Sequence, residues 1–166
     1  MFLPLSRRLA GGEMISIFDK NFDPEHYLST FRQQNLGSGA ICNFVGMVRR
    51  DDGCDDGCDD DLISLKLEHH PRLTQKSIED IASAAQLRLR LDDILIIHRI
   101  GEMAYGEPIV LVAIASKHRR DAFAAADFIM DGLKTRALFW KKEIRRSGDI
   151  WIEPRVQDYA DAARWK

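Results

Sequence analysis

Residues 108–144 read PIVLVAIASKHRRDAFAAADFIMDGLKTRALFWKKEI, and the hydrophobic pattern changes twice along this stretch. Pro108–Ser116 is almost wholly apolar, which predicts a strand buried on both faces. Between Arg120 and Thr135 the apolar residues recur at helical spacing, so a helix is predicted there. Leu138–Ile144 is predicted to be a strand again. A buried strand, an amphipathic helix and a second strand indicate a domain of mixed α and β structure.

The sequence on either side of this stretch adds further predicted elements. Asp23 and Pro24 are typical of a helix start, because Asp caps free backbone N–H groups and Pro suits the first turn. The further predicted elements are helices at Pro24–Gln34 and from about Thr74, strands at Ala40–Val48, Ile63–His70, Asp93–Arg99 and Ile150–Glu153, and a turn at Gly101–Gly106. The predicted fold class is therefore α+β, with a mixed or antiparallel sheet, two long helices and a short N-terminal helix.

Bulk composition limits the class of protein. The chain has 166 residues, 45% of them hydrophobic and 30% charged, and its net charge is −2. A general nucleic-acid or membrane-surface binder would carry a basic excess, so neither class is favoured. No apolar run approaches the roughly 20 residues needed to span a bilayer. The cysteines are too few for a secreted disulfide framework, so a cytoplasmic location is predicted; they are Cys42, Cys54 and Cys58.

The first 13 residues, MFLPLSRRLAGGE, differ from the sequence that begins at Met14, which has a more regular pattern. A secretory signal carries its charge before a longer apolar stretch, which this segment lacks. We expect residues 1–13 to be a flexible leader and residues 14–166 to form a single domain, with no internal repeat or linker. A weak organellar targeting segment is the alternative for the leader.

Neither the acidic loop nor the cysteines predict a metal site. Residues 51–61 read DDGCDDGCDDD, but a calcium loop counted from Asp52 would need a carboxylate where Ile63 stands. Two cysteines four residues apart, with no second pair and no histidine nearby, do not make a zinc site. The loop is predicted to be solvated and mobile. Cys42 is predicted to be a buried, inert thiol, and His69 and His98 structural histidines.

Basic residues at the ends of predicted elements are the best candidates for a functional site. Arg49 and Arg50 end one strand, and the run His118–Arg120 lies where a strand gives way to a helix, whose N-terminal N–H groups favour anions. Lys134 lies in the last turn of that helix. Singly, each is best interpreted as a surface charge; together they indicate a pocket for an anionic small molecule.

Several motifs in order resemble one known family, the large, catalytic subunit of molybdopterin synthase. The motifs are FVGMVR (44–49), LEHHP (67–71), IHRIG (97–101), HR (118–119) followed by AF (122–123), KTR (134–136), FWKKE (139–143) and GDIWIE (148–153). The resemblance follows the family's order from Met14 nearly to the C-terminus. Ala137–Leu138 replaces a segment that often contains proline, His70 stands where tyrosine is common, and the acidic loop is unusual.

The resemblance implies an α/β-hammerhead fold and a homodimer that forms a heterotetramer with a small ubiquitin-like sulfur carrier. The carrier's C-terminal Gly-Gly thiocarboxylate would enter the active site and supply two sulfurs to cyclic pyranopterin monophosphate, forming the molybdopterin dithiolene. No metal or organic cofactor would be held. Nucleic acid and membrane are not expected partners.

The same resemblance assigns roles to individual residues. Lys134 and Lys141 match the family's catalytic lysines. The matched substrate-binding positions include both lysines and also Met47, Val48, Arg49, His118, Arg119, Lys142 and Glu143. Phe44, Met130 and Arg155 are expected to line the same region. An arginine fork suits a phosphate, and a lysine in a partly desolvated, cation-rich pocket can exchange protons near neutrality.

Two other functions remain open from the residues alone. A non-catalytic interaction module would use the apolar strands for a partner and the charges for solubility. A phosphate- or RNA-binding domain would use the basic C-terminal half, although aromatic residues do not alternate with a basic face there.

Overall fold

The computed structural model describes residues 7–8, 14–49 and 62–165. The expected leader, residues 1–13, lies outside this range except for Arg7–Arg8, a short strand that pairs with the strand beginning at Met14. The acidic loop, with Cys54 and Cys58, also lies outside it.

The described residues form nine strands and four helices in two sheets. The strands are β1 (Arg7–Arg8), β2 (Met14–Phe18), β3 (Ala40–Met47), β4 (Leu62–His69), β5 (Asp93–Arg99), β6 (Gly101–Ala104), β7 (Pro108–Ser116), β8 (Phe139–Arg145) and β9 (Gly148–Ile152). The helices are α1 (Pro24–Gln34), α2 (Pro71–Arg88), α3 (Arg119–Thr135) and α4 (Val156–Ala163).

The larger sheet has the order β1-β2-β5-β7-β3 and is mixed, since only β2 and β5 are parallel. Its central strands β5 and β7 are buried on both faces, because their side chains alternate between two sides that are each covered by helices. Ile94, Ile96 and Val112 pack with residues of α2 and α3, whereas Leu95 and Leu111 pack with residues of α1. The apolar run at 108–116 is thus a strand covered on both faces, as predicted.

The smaller sheet has the order β6-β4-β8-β9 and is antiparallel throughout. One face of this sheet forms a separate cluster, in which Leu65, Leu67 and Met103 pack with Val48 from the end of β3. Phe139 at the start of β8 contacts both this cluster and the main core. The two sheets therefore meet where β3 ends and β8 begins, and the predicted α+β class is confirmed.

Three local predictions differ from the structure. The expected turn at 101–106 begins with strand β6, because Gly101–Ala104 pairs with β4 before the chain turns at Gly106, where φ is +79°. Helix α2 begins at Pro71 rather than Thr74, since His70 is its N-cap and its Nδ1 accepts a hydrogen bond from the backbone N–H of Leu73. Helix α4 was not predicted; it has only eight residues, and none of them is buried.

Candidate functional site

Lys134 and Lys141 flank the three-residue connection between α3 and β8. The last turn of α3 is fixed by Gly132, where the chain packs closely against α2. A Cβ atom on Gly132 would lie 2.8 Å from Cγ2 of Ile81 and 2.9 Å from Nη2 of Arg136. Because only glycine fits without displacing these atoms, residue 132 sets how closely the lysine-bearing end of α3 approaches α2.

Lys134 is paired with a residue of α4. Its Nζ lies 2.9 Å from Oδ1 of Asp158, and 57% of its side chain is exposed. The second carboxylate oxygen of Asp158 accepts a hydrogen bond from the backbone N–H of Arg155 at 2.8 Å. Asp158 was not among the sequence candidates, because a residue 24 positions away leaves no local pattern. Arg155, expected near the site, lies at the start of α4.

Lys141 lies between Leu67 of β4 and Ile152 of β9 in the smaller sheet. It shares a face with Glu143, whose Oε1 is 3.8 Å from the Lys141 Nζ. Glu143 is only 6% exposed, and its Oε2 accepts hydrogen bonds from Nε and Nη2 of Arg145 at 3.1 and 2.8 Å. Glu143 therefore has a fixed position and orients the charge of Lys141 by attraction.

Lys142 projects from the opposite face of the same strand. It pairs with Lys66 and Trp151, and its Nζ donates to Oδ2 of Asp149 at 2.7 Å and lies 5.5 Å from the Trp151 ring centre. The hydrogen bond to Asp149 raises the pKa of Lys142. The structure thus places Lys142 on the opposite face of β8 from Lys141, as strand alternation predicts, although the family resemblance assigns both to substrate binding.

The residues at the end of β3 lie at the lysine-bearing end of the molecule. Met47 pairs with Pro108, the first residue of β7, and Val48 shares a cluster with Phe139. Met47 and Arg49 are exposed, but Val48 is 3% exposed and both its backbone polar groups are bonded, to Gly106 and Glu107. Val48 therefore contributes packing, and its two neighbours offer the side chains that a substrate can contact.

His118 and Arg119 lie at the other end of α3. His118 is the N-cap and Arg119 the first residue of this helix, and both are exposed. Fifteen residues separate Arg119 from Lys134, a distance of about 22 Å along a helix. Within one chain, helix α3 therefore keeps His118 and Arg119 apart from Lys134.

His98 has a structural position beneath the site. Its ring is stacked on Phe139, with centroids 4.1 Å apart, and its Nδ1 bonds the backbone oxygen of Arg99 at 2.8 Å. Burial lowers the pKa of His98 to about 4, although the hydrogen bond to Arg99 opposes this shift. His98 is therefore neutral near pH 7 and supports the first residue of β8, which agrees with the predicted structural role.

No group of three or more metal-ligating side chains occurs within residues 14–49 and 62–165. Cys42 is partly buried rather than buried as predicted, and this partial burial raises the pKa of its thiol, which stays protonated and weakly nucleophilic. None of the helices described is long and apolar enough to cross a membrane.

Comparison with known proteins decides the family. The family model described as MoaE protein matches residues 17–136. The chain belongs to the MoaE family. Lys134 lies within the matched residues, whereas Lys141, Lys142 and Glu143 follow them.

Similar proteins cover nearly the whole chain. The molybdopterin synthase catalytic subunit of Caulobacter vibrioides is 41% identical over 152 residues, which are 92% of this chain and 97% of that protein. The Pseudomonas aeruginosa catalytic subunit is 47% identical over 145 residues, 87% and 93% of the two chains. A solved MoaE structure from Burkholderia ambifaria superposes with a TM-score of 0.74 at 38% identity, covering 95% and 98%. This MoaE chain is thus an enzyme, a sulfur-transferring catalytic subunit of molybdopterin synthase, which confirms the resemblance seen in the sequence.

Proposed function

We propose that the chain moves sulfur from a carrier's C-terminal thiocarboxylate to cyclic pyranopterin monophosphate, with Lys134 and Lys141 as its catalytic residues. The observation that carries this proposal is the position of the two lysines. They flank one short connection at the end of the molecule where Met47, the last residue of β3, and Arg49 just after it are exposed. An anionic phosphate and an anionic sulfur nucleophile both require cations at the place where they meet.

The two lysines differ in their surroundings, which suits different tasks. Lys141 has 43% of its side chain exposed and sits beside the buried Glu143 on a rigid strand. Lys134 lies on the last turn of a helix and is paired with Asp158. Sulfur addition and oxygen departure require a proton on the leaving oxygen, and a lysine ammonium supplies such a proton. In this proposal Arg49 binds the phosphate, for which its planar fork of donors is suited.

The sulfur comes from a small ubiquitin-like carrier in this proposal. A carrier that brings its own thiocarboxylate leaves no need for a reactive cysteine on this chain, and the protonated Cys42 fits that division of labour. A related molybdopterin synthase from Staphylococcus aureus has been solved, at 27% identity and a TM-score of 0.71. Helicobacter pylori provides a structure of a complex of subunits 1 and 2 of molybdopterin-converting factor, with a similar fold. A free cysteine among the described residues also fits the proposed cytoplasmic location.

We further propose that the active site is shared between two copies of the chain. His118 and Arg119 are about 22 Å from Lys134 along α3, too far for one small substrate to contact both ends. In a two-fold dimer the same surfaces meet reciprocally, so the N-terminal end of α3 in one protomer can face the lysines of its partner. The carrier would then bind each protomer, forming a heterotetramer.

A reconstituted sulfur-transfer assay tests the proposed function. Purified chain would be mixed with cyclic pyranopterin monophosphate and a carrier ending in a Gly-Gly thiocarboxylate, and dithiolene formation would be measured. The control is the same carrier with an ordinary carboxylate terminus. Product is expected with the thiocarboxylate carrier and not with the carboxylate carrier. Absence of product when the chain binds the carrier would overturn the assignment.

A further inference from the structure

Asp158 contacts Lys134 and the backbone of Arg155 with different oxygens of one carboxylate. Its Oδ1 accepts from the Lys134 Nζ at 2.9 Å, and its Oδ2 accepts from the Arg155 N–H at 2.8 Å. Only 16% of the Asp158 side chain is exposed, compared with 57% of the Lys134 side chain. The carboxylate is therefore the better-fixed member of the pair, and the flexible lysine takes its position from it.

Helix α4 has a second attachment to α3 that does not involve Lys134. Near its C-terminal end, Nη2 of Arg164 lies 2.8 Å from Oδ2 of Asp131 and 2.8 Å from Oδ1 of Asp127. The indole N–H of Trp165 donates to the same Asp131 oxygen at 2.7 Å. Because these contacts hold the helix at one end, the Asp158–Lys134 pair is not the sole link between α4 and α3.

The ionisation of Asp158 fits an electrostatic task. Its partial burial opposes the charged form, but hydrogen bonds from Lys134 and from the backbone of Arg155 outweigh burial and lower the pKa of Asp158. The carboxylate is therefore negatively charged throughout the neutral range.

We propose that Asp158 is a positioning residue for sulfur transfer, holding the Lys134 ammonium in the orientation in which it acts. The inference rests on the proposed function, because Asp158 has this task only if Lys134 is catalytic. A lysine ammonium has three N–H donors, so one bond to Asp158 leaves two for the reacting groups. Restricting a long side chain before the reaction lowers the entropy lost in the transition state.

The same carboxylate links Lys134 to the start of α4. By accepting the backbone N–H of Arg155, Asp158 fixes the point at which the chain enters the helix, next to the lysine. Lys134 and the backbone of Arg155 thus keep a constant spacing set by one side chain. Sequence inspection assigns no role to Asp158, since its partner lies on another helix.

Asp158→Asn is the decisive variant, because asparagine has the same size and still accepts one hydrogen bond but carries no charge. Arg164→Ala is the matched control, since it weakens the other attachment of α4 and leaves Lys134 untouched. Both would be assayed for sulfur transfer with thiocarboxylated carrier, alongside wild type and Lys134→Ala. Thermal melting and carrier binding would be recorded for each protein.

The expected result is a fall of roughly 10-fold in kcat for Asp158→Asn, the scale of a misplaced catalytic group, with KM and melting temperature close to wild type. Arg164→Ala should keep its kcat. Asp158→Glu, which keeps the charge, should recover part of the lost activity.

Three results would overturn the proposal while leaving the proposed function intact. Equal losses in Asp158→Asn and Arg164→Ala would show that only anchoring of α4 matters. An unchanged kcat in Asp158→Asn would show that Lys134 needs no positioning. A higher kcat would show that Asp158 restrains Lys134 from acting. Full activity in Lys134→Ala would instead remove the catalytic assignment itself.

Discussion

The imidazole ring of His98 lies against the ring of Phe139, with an interplanar angle of 22° and 4.1 Å between centroids. This contact joins the central strand β5 of the larger sheet to the first residue of β8 in the smaller one. Lys141 follows Phe139 by two residues on the same strand face. A neutral, buried histidine thus supports the strand that carries a candidate catalytic lysine.

The low pKa of His98 predicts that stability falls in mild acid. In the unfolded chain His98 has the ordinary pKa of 6.5, whereas in the folded protein it is about 4. Between these values the unfolded state binds more protons, so the free energy of unfolding decreases as pH falls from about 6.5 to about 4. Full protonation of His98 would cost about 3 kcal/mol by this linkage.

Urea unfolding of wild type and His98→Gln at pH 7, 5.5 and 4 measures this effect, since the variant lacks the titrating group. His26→Gln, at an exposed position, is the control. The stability gap between wild type and His98→Gln should narrow as pH falls, whereas His26→Gln should follow wild type. A gap that does not change with pH would contradict the assignment of a neutral, buried His98.

Lys134→Ala and Lys141→Ala are each expected to lower product formation by roughly 10²–10⁴-fold, the scale of losing a positioned proton-transfer group. Folding and carrier binding should stay near wild type, because both side chains are about half exposed. Lys142→Ala should cost much less, since Lys142 is on the opposite face and bound to Asp149. Single-turnover sulfur transfer checks all three variants. Equal losses in all three would indicate a general charge effect rather than catalysis by two lysines.

Mixed dimers test whether the active site is shared between protomers. Lys134→Ala and Arg119→Ala homodimers should each be poorly active. In Arg119→Ala, kcat/KM should fall by roughly 10- to 100-fold, because a charged hydrogen bond is lost. After subunit exchange, half the dimers are mixed and each has one intact site, so about one quarter of wild-type activity should return. Activity that stays at the level of the separate variants would show that residues 119 and 134 act within one chain or that Arg119 has no role.

Gly132→Ala is expected to destabilise the protein by roughly 1–3 kcal/mol, because a methyl group there collides with packed atoms. Its Cβ would lie 2.8 Å from Ile81 and 2.9 Å from Arg136, and the better helix propensity of alanine offsets about 1 kcal/mol at most. Gly37→Ala is the control, since a Cβ there has no atom within 4 Å. Chemical denaturation measures both. A Gly132→Ala protein as stable as wild type would show that α2 and α3 do not pack as closely as described.

Local regularities of the chain were determined by sequence alone. The Asp23–Pro24 start of α1 is confirmed, with Asp23 Oδ1 accepting the backbone N–H of Glu25 at 3.0 Å. Placing Lys141 and Lys142 on opposite faces required only the alternation of a strand, and their partners Leu67 and Lys66 bear this out. The ordered motifs also sufficed to recognise the family, because they are distributed over residues 44–153 and are specific in combination.

Contacts between distant segments were decided only by the tertiary structure. Helix α4 buries no apolar stripe and is held by ion pairs to α3, and Asp158 reaches Lys134 across 24 residues. The sequence grouped Arg119 with Lys134 because both are basic and end a helix, but a rigid helix of 17 residues keeps them apart. Backbone geometry fixes periodicity within an element, whereas docking between elements depends on burial and charge pairing across the fold, which no local pattern records.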